Sequence, residues 1–286
     1  MPRRTPKPSL DAVIEEHRAD LVKRHRVRSR DQLVRFVDDC GFVFAFTART
    51  DRDAAIPACF DHLSTSDEGR KWSWMWRWKD ELAEGRRLFY GKLLMRKPTF
   101  VSMKMLPTFY ATFGRAGEMD DHLDDVRAGR ISDIGRRVID HLAQNGETQT
   151  KRMRAQLGIV SDEGRREYAK AIDEAQRLMY VAMVRAVGEG REDYNYTYDL
   201  FVRRYPESVR AAEAISSAAA ADALLARLVA LAGAVSPVQA RRLFDWDEEL
   251  TARAIARCDA AGALRRVFAV RGELLVLPSL AATAAI

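Results

Sequence analysis

Residues 71–79 read KWSWMWRWK, which places Trp72, Trp74, Trp76 and Trp78 at every second position. Indoles in such a run can close a core, stack on nucleobases or wall a small-ligand box. An extended strand would carry all four on one face, whereas a helix would scatter them. The spacing therefore predicts a strand with an aromatic face. Lys71, Ser73, Met75, Arg77 and Lys79 would then form a largely basic second face. GFVFAFTA repeats the spacing with Phe42, Phe44 and Phe46, predicting a second aromatic strand.

Charge sharpens the choice. Residues 1–30 hold nine Lys/Arg against four Asp/Glu, and residues 71–104 hold nine against three. From 207 onward the balance is nine against nine. Clustered positive charge attracts phosphate through counterion release. The candidate phosphate contacts are Lys23, Arg24, Arg26, Arg28, Arg30, Arg77, Lys79, Lys92, Arg96 and Lys97, joined further on by Lys151, Arg152 and Arg154. Contacts of this kind position DNA without reading its sequence.

Other chemistry finds little support. Cys40, Cys59 and Cys258 are too widely spaced for a zinc pattern or a disulfide framework. The five histidines show no ligand spacing, and no phosphate loop, dinucleotide fingerprint or hydrolase elbow occurs. The expectation is no metal and no cofactor. No apolar run reaches the ~18 residues of a membrane span, and MPRRTPKPSL has no apolar core of a signal peptide. A cytoplasmic location without membrane contact is expected.

The elements that must position these residues repeat one order. Ile134, Val138 and Leu142 mark a helix ending at Asn145-Gly146. Thr148 is read as the cap of a short basic helix and Ser161 as the cap of a third, before the strands LMYVAMVRAV and YNYTYDLF. Residues 221–278 repeat this with Leu224, Leu225, Leu228 and Leu231, then PVQARRLF, a helix from Asp247, and a hairpin. SRDQLVRFVDDCG, the aromatic strand and RKPTFVSMKMLPTFYA suggest an earlier copy. The reading is a mainly α protein with short β-hairpins (α+β), made of tandem winged-helix domains, three in number. The divisions are a basic arm and helix at 1–30, a first domain at 31–113, an acidic linker at 114–130, and further winged helices at 131–206 and 207–286. DWDEEL places carboxylates at the start of the last unit's third helix, which suits self-association better than DNA contact.

Three segments resemble one family, the AlkZ/YcaQ-type crosslink-repair DNA glycosylases. They are FVDDCGFVFAFTARTDRDAAIPACF, RKPTFVSMKMLPTFYA, and the stretch from RRVIDHLAQNGETQTKRMRAQLGI to YDLFVRRYP. The resemblance spans about 30–278. It implies double-stranded or damaged DNA as partner and a Gln-x-Gln or Gln-x-Asp motif that positions the attacking water. The matching positions here are Phe44, Ala45 and Phe46, which cannot orient a water or stabilise an oxocarbenium ion. Asp38, Asp39, Asp51 and Asp53 are the nearby carboxylates that could substitute. The tryptophans and phenylalanines are then expected to form one apolar cluster filling the former cleft. Three readings stay open: a DNA-binding protein without the motif, a glycosylase with displaced catalytic groups, and an interaction or small-ligand scaffold.

Overall fold

The computed structural model describes residues 7–46, 56–188, 194–269 and 272–285. The chain opens with α1 (Leu10–Arg24). A first unit follows: α2 (Arg30–Cys40), β1 (Phe42–Phe44), α3 (Cys59–His62), α4 (Glu68–Glu84), β2 (Leu88–Leu94) and β3 (Lys97–Ser102). Two short helices, α5 (Leu106–Ala111) and α6 (His122–Arg127), lead to a second unit. It holds α7 (Asp133–Asn145), β4 (Thr148–Gln149), α8 (Thr150–Gln156), α9 (Asp162–Arg177), β5 (Val181–Val187) and β6 (Asn195–Leu200). After α10 (Phe201–Arg204) and α11 (Pro206–Ala212), a third unit comprises α12 (Ser217–Ala232), β7 (Ala234–Val235), α13 (Pro237–Phe244), α14 (Glu248–Ala260), β8 (Arg265–Ala269) and β9 (Gly272–Val276). The last element is α15 (Pro278–Thr283).

Each unit runs helix, strand, helix, helix, hairpin. Each sheet is antiparallel, with the returning strand in the middle: β1-β3-β2, β4-β6-β5 and β7-β9-β8. Local chemistry explains the boundaries. Ser29, Ser132, Ser161, Ser216 and Asp247 each accept from a backbone N–H of the first helical turn. Ser236 and Gln239 complete a reciprocal capping box. Gly41, at φ 84°, ends α2 in a conformation that L side chains rarely adopt. Thr148 is no cap: its hydroxyl donates to Gly146 O, and Gln149 precedes α8 without side-chain help.

Three expectations need correction. The tryptophan run is helix, not strand, because Asp67 caps α4 and Met75, Trp78, Lys79 and Leu82 line one buried face at helical spacing. The aromatic strand is only Phe42–Phe44, and all three of its residues are buried, so Phe46 lies past its end. The acidic stretch 114–130 is no loose tether. It folds α6 against α7 and buries His122 and Asp125, whose carboxylate binds Arg130 and Tyr180.

One hydrophobic core runs through all three units. The second unit's α9 packs on β2 and its β5 packs on α4, while α5 packs on α11 and α12. The N-terminal helix crosses to the far end of the chain: Ile14 packs with Ala234, Val267 and Val276. There His17 and Arg18 meet the carbonyls of Ala230 and Ala232, at the end of α12, where the helix dipole favours cations. Among the described residues no single helix is long and apolar enough to cross a membrane. The α11–α12 pair meets the length and composition only together, across a bend of 106°.

Candidate nucleic-acid interface

On α4, residues four apart share a face, so the four tryptophans divide into two pairs. Trp74 and Trp78 stack with ring centroids 5.0 Å apart, and Trp78 is 4% exposed. Trp72 and Trp76 point outward and are 50% and 49% exposed. Neither outward ring is loose. Trp72 lies 5.6 Å from Phe46, nearly parallel, and 4.6 Å from Phe60. Trp76 rests against Phe46 and, at 5.3 Å, against Tyr194 of the second unit. The aromatic cluster is therefore divided. Phe46, Trp72 and Trp76 make a surface; Phe42 and Phe44 belong to the core, Phe42 packing edge-on against Phe109 and Phe244.

Lys79 stands under this surface and is 0% exposed. Its ammonium binds Asp80 at 2.6 Å and the hydroxyls of Tyr194 and Tyr196. It also sits 4.3 Å from the Trp76 ring and 4.7 Å from that of Tyr194. Tyr194 in turn donates to Asp80 at 2.6 Å. Burial, with Asp80 beside it, pushes the Tyr194 phenol far up, so it stays protonated and donating. Lys79 is thus a buried rivet between two units and not the phosphate contact its place in the run suggests.

The other basic candidates separate by their partners. Arg30 binds Glu81 at 2.8 Å, Lys23 binds Asp20 at 3.2 Å, and Lys92 binds Asp173 at 2.8 Å. Arg77 lies 3.8 Å from Glu81 yet stays exposed beside Trp76 on α4. Arg24, Arg26, Arg28, Arg96, Lys151 and Arg152 are exposed, and Lys97 and Arg154 are half-buried. Arg96 occupies, with Met95, the two-residue turn joining β2 to β3, and both have φ near +55°. The Lys151 backbone N–H donates to Asn195, between Tyr194 and Tyr196 in sequence.

Phe44, Ala45 and Phe46, where the resemblance leads the glycosylase motif to be expected, are tied in through backbone hydrogen bonds. Phe44 N donates to Pro57 O, Ala45 N donates to Pro98 O, and Ala45 O accepts from Phe60 N. Phe44 and Ala45 are buried and Phe46 half-buried. Of the four carboxylate candidates, Asp38 is half-buried and Asp39 is exposed on α2, 3.8 Å from His25. Asp51 and Asp53 lie outside the described residues.

One feature escaped sequence reasoning. A cleft of about 660 Å³ opens where β2, α5, the 114–130 stretch, the end of α9 and the α13–α14 connection meet. Phe244, Trp246 and five aspartates are on its wall. The acidic runs DDHLDD and DWDEEL were visible in the sequence, but nothing there said that they face one space. Among the described residues no group of three or more His, Cys, Asp or Glu is placed to hold a metal ion.

Three α+β units of one order on a shared core define the class of this protein. The chain belongs to the AlkZ-related family, whose model matches residues 27–245. Its fold is that of the Streptomyces sahachiroi DNA glycosylase AlkZ, with a TM-score of 0.60 at 12% identity; the match covers 97% of this chain and 73% of that one. No curated protein matches the chain.

Proposed function

We propose that this protein binds DNA with three consecutive winged helices on a glycosylase-like scaffold, without the family's glutamine-based catalytic motif. The thrice-repeated order of helix, strand, helix, helix and hairpin supports the winged-helix reading, in which α4 would hold the third-helix position that enters DNA. The carrying observation is the outward pair Trp72 and Trp76 on that helix, flanked by Arg70, Lys71 and Arg77. Indoles that are half-exposed yet braced from behind favour stacking on unpaired or distorted bases, with the basic residues following the backbone. The partner is double-stranded or damaged DNA, and the reading places the protein in the cytoplasm.

The test is a salt titration with intact duplex and with duplex carrying an unpaired base. Affinity is expected to fall steeply with salt, and the unpaired base to strengthen binding. Absence of binding at ~50 mM salt sinks the proposal.

Hydrolysis with displaced catalytic groups is the second reading, favoured by the fold shared with a DNA glycosylase. Release of free base from N7-alkylated DNA would establish it. No release, even from a Phe44→Gln/Phe46→Gln variant, would set it aside.

A further inference from the structure

The cleft among the three units is separate from the α4 surface: none of Phe44, Ala45, Phe46, Trp72 or Trp76 lines it. Its size suits a small organic molecule. Two properties of its wall point to one ligand chemistry.

The first is a ring face. Phe244 and Trp246 stack with centroids 4.5 Å apart and planes 21° from parallel, so they present a preformed aromatic wall. Flat ligands stack on such walls with little loss of side-chain freedom.

The second is charge. Asp121, Asp124, Asp125, Asp245 and Asp247 line the cleft against Arg115, Arg130 and Arg177. Two of the arginines are ion-paired, and the third is covered by rings. Arg177 binds Asp245, and Arg130 binds Asp125 at 2.5 Å. Arg115 donates to Leu178 O and has Asp125 3.9 Å from its Nη1, while its guanidinium is covered by the Tyr180 ring at 4.0 Å and the Phe113 ring at 4.4 Å; its Nε and Nη1 are buried under these rings with no hydrogen-bond partner among the described residues. Asp124 pairs with Arg127 at 2.5 Å. Among the described residues Asp121 and Asp247 meet no cation: Asp121 accepts from the backbone N–H groups of Gly117 and Glu118, and Asp247 from that of Leu250. Negative charge therefore remains. Such a space repels a phosphate backbone and attracts a cation. A cation over an aromatic face gains further.

We propose that this cleft binds a planar aromatic cation, a small molecule and not the nucleic acid. Its walls come from all three units, so an occupant would also clamp them together.

The experiment uses the full chain and proflavine, a flat cation, beside anthraquinone-2-sulfonate, a flat anion. Dye fluorescence and melting temperature are followed. Saturable one-site proflavine binding, a raised melting temperature and no response to the sulfonate are expected. Asp121→Asn/Asp247→Asn should weaken proflavine by about tenfold or more. Asparagine still caps α14, so this variant keeps its fold. Trp246→Leu should weaken proflavine as well, whereas Trp72→Ala/Trp76→Ala should leave it unchanged. No saturation by ~1 mM, equal binding of the anion, or unchanged affinity in the Asp variant would overturn the proposal. Loss confined to the Trp72/Trp76 variant would overturn it too, because the dye would then be stacking on α4.

Discussion

Helices α4 and α14 hold the same place in the first and third units, both start on an Asp cap followed by Glu, and they differ in what they present beyond that start. The first turn of α14 is acidic, with Glu248 and Glu249 after the Asp247 cap. Outward on α4 stand two indoles with Arg70 and Arg77 beside them. Their ionic contacts differ as well. On α14, Arg257 meets Asp222 of α12 inside the same unit, and both are partly exposed. On α4, Lys79 is sealed between two units by Asp80 and a ring of tyrosines. A shared backbone order thus fixes where a helix stands and leaves open what it can bind. The side chains decide, and the proposed contact with an anionic partner rests on those of the first unit.

The largest expected effect tests the sealed ion pair. Lys79→Met leaves Asp80 without its cation at the joint between units, and should cost about 3 kcal/mol of stability in urea unfolding. Arg257→Met removes a solvent-screened pair and should cost about 1 kcal/mol or less. Equal losses would erase the distinction. Next comes binding. Trp72→Ala/Trp76→Ala should weaken DNA carrying an unpaired base by about 2 kcal/mol, read by fluorescence anisotropy, with the circular dichroism spectrum unchanged. Glu248→Gln/Glu249→Gln on α14 should leave that affinity unaltered. If the α14 variant lost as much, the contact would not belong to the first unit.

Individual helices were legible in sequence because their signals are local: Ser161 as a cap, Gly146 as a stop, and Ile134, Val138 and Leu142 at helical spacing. The family was legible in segments that the match at 27–245 contains. The tryptophan run misled because four conspicuous residues had period two. The buried face was set by less conspicuous neighbours, Met75, Lys79 and Leu82. Lys79 could not have been placed, since its partners Tyr194 and Tyr196 lie more than a hundred residues away. The cleft was hidden for the same reason: Asp125 and Asp245 become neighbours only when the units pack.

A smaller effect concerns the β2–β3 hairpin of the basic first unit. Met95 and Arg96 both hold φ near +55°, where side chains other than Asn, Asp and Gly are disfavoured. Met95→Asn should raise stability by about 0.5–1 kcal/mol while leaving the exposed Arg96 in place. A loss of stability would mean that the half-buried Met95 packing outweighs the turn preference.

The smallest effect is pH dependence, and it again separates the first unit from the third. His25 and His62 both pack against Phe36, with ring centroids 5.2 and 4.1 Å from it, and His62 Nδ1 meets His25 O. Burial lowers the pKa of both below the ordinary 6.5. An unfolded chain therefore binds protons on these rings at a higher pH than the folded one. Their contribution is complete above about pH 6.5 and is lost as pH falls toward the folded values. Residues 217–276 contain no histidine, so the third unit has no such term of its own. Urea midpoints taken from pH 7.5 to 5.0 should fall for the wild-type chain and fall less for His62→Gln. Parallel declines would place the acid sensitivity in the carboxylates instead, and the first unit would lose that mark of difference from the third.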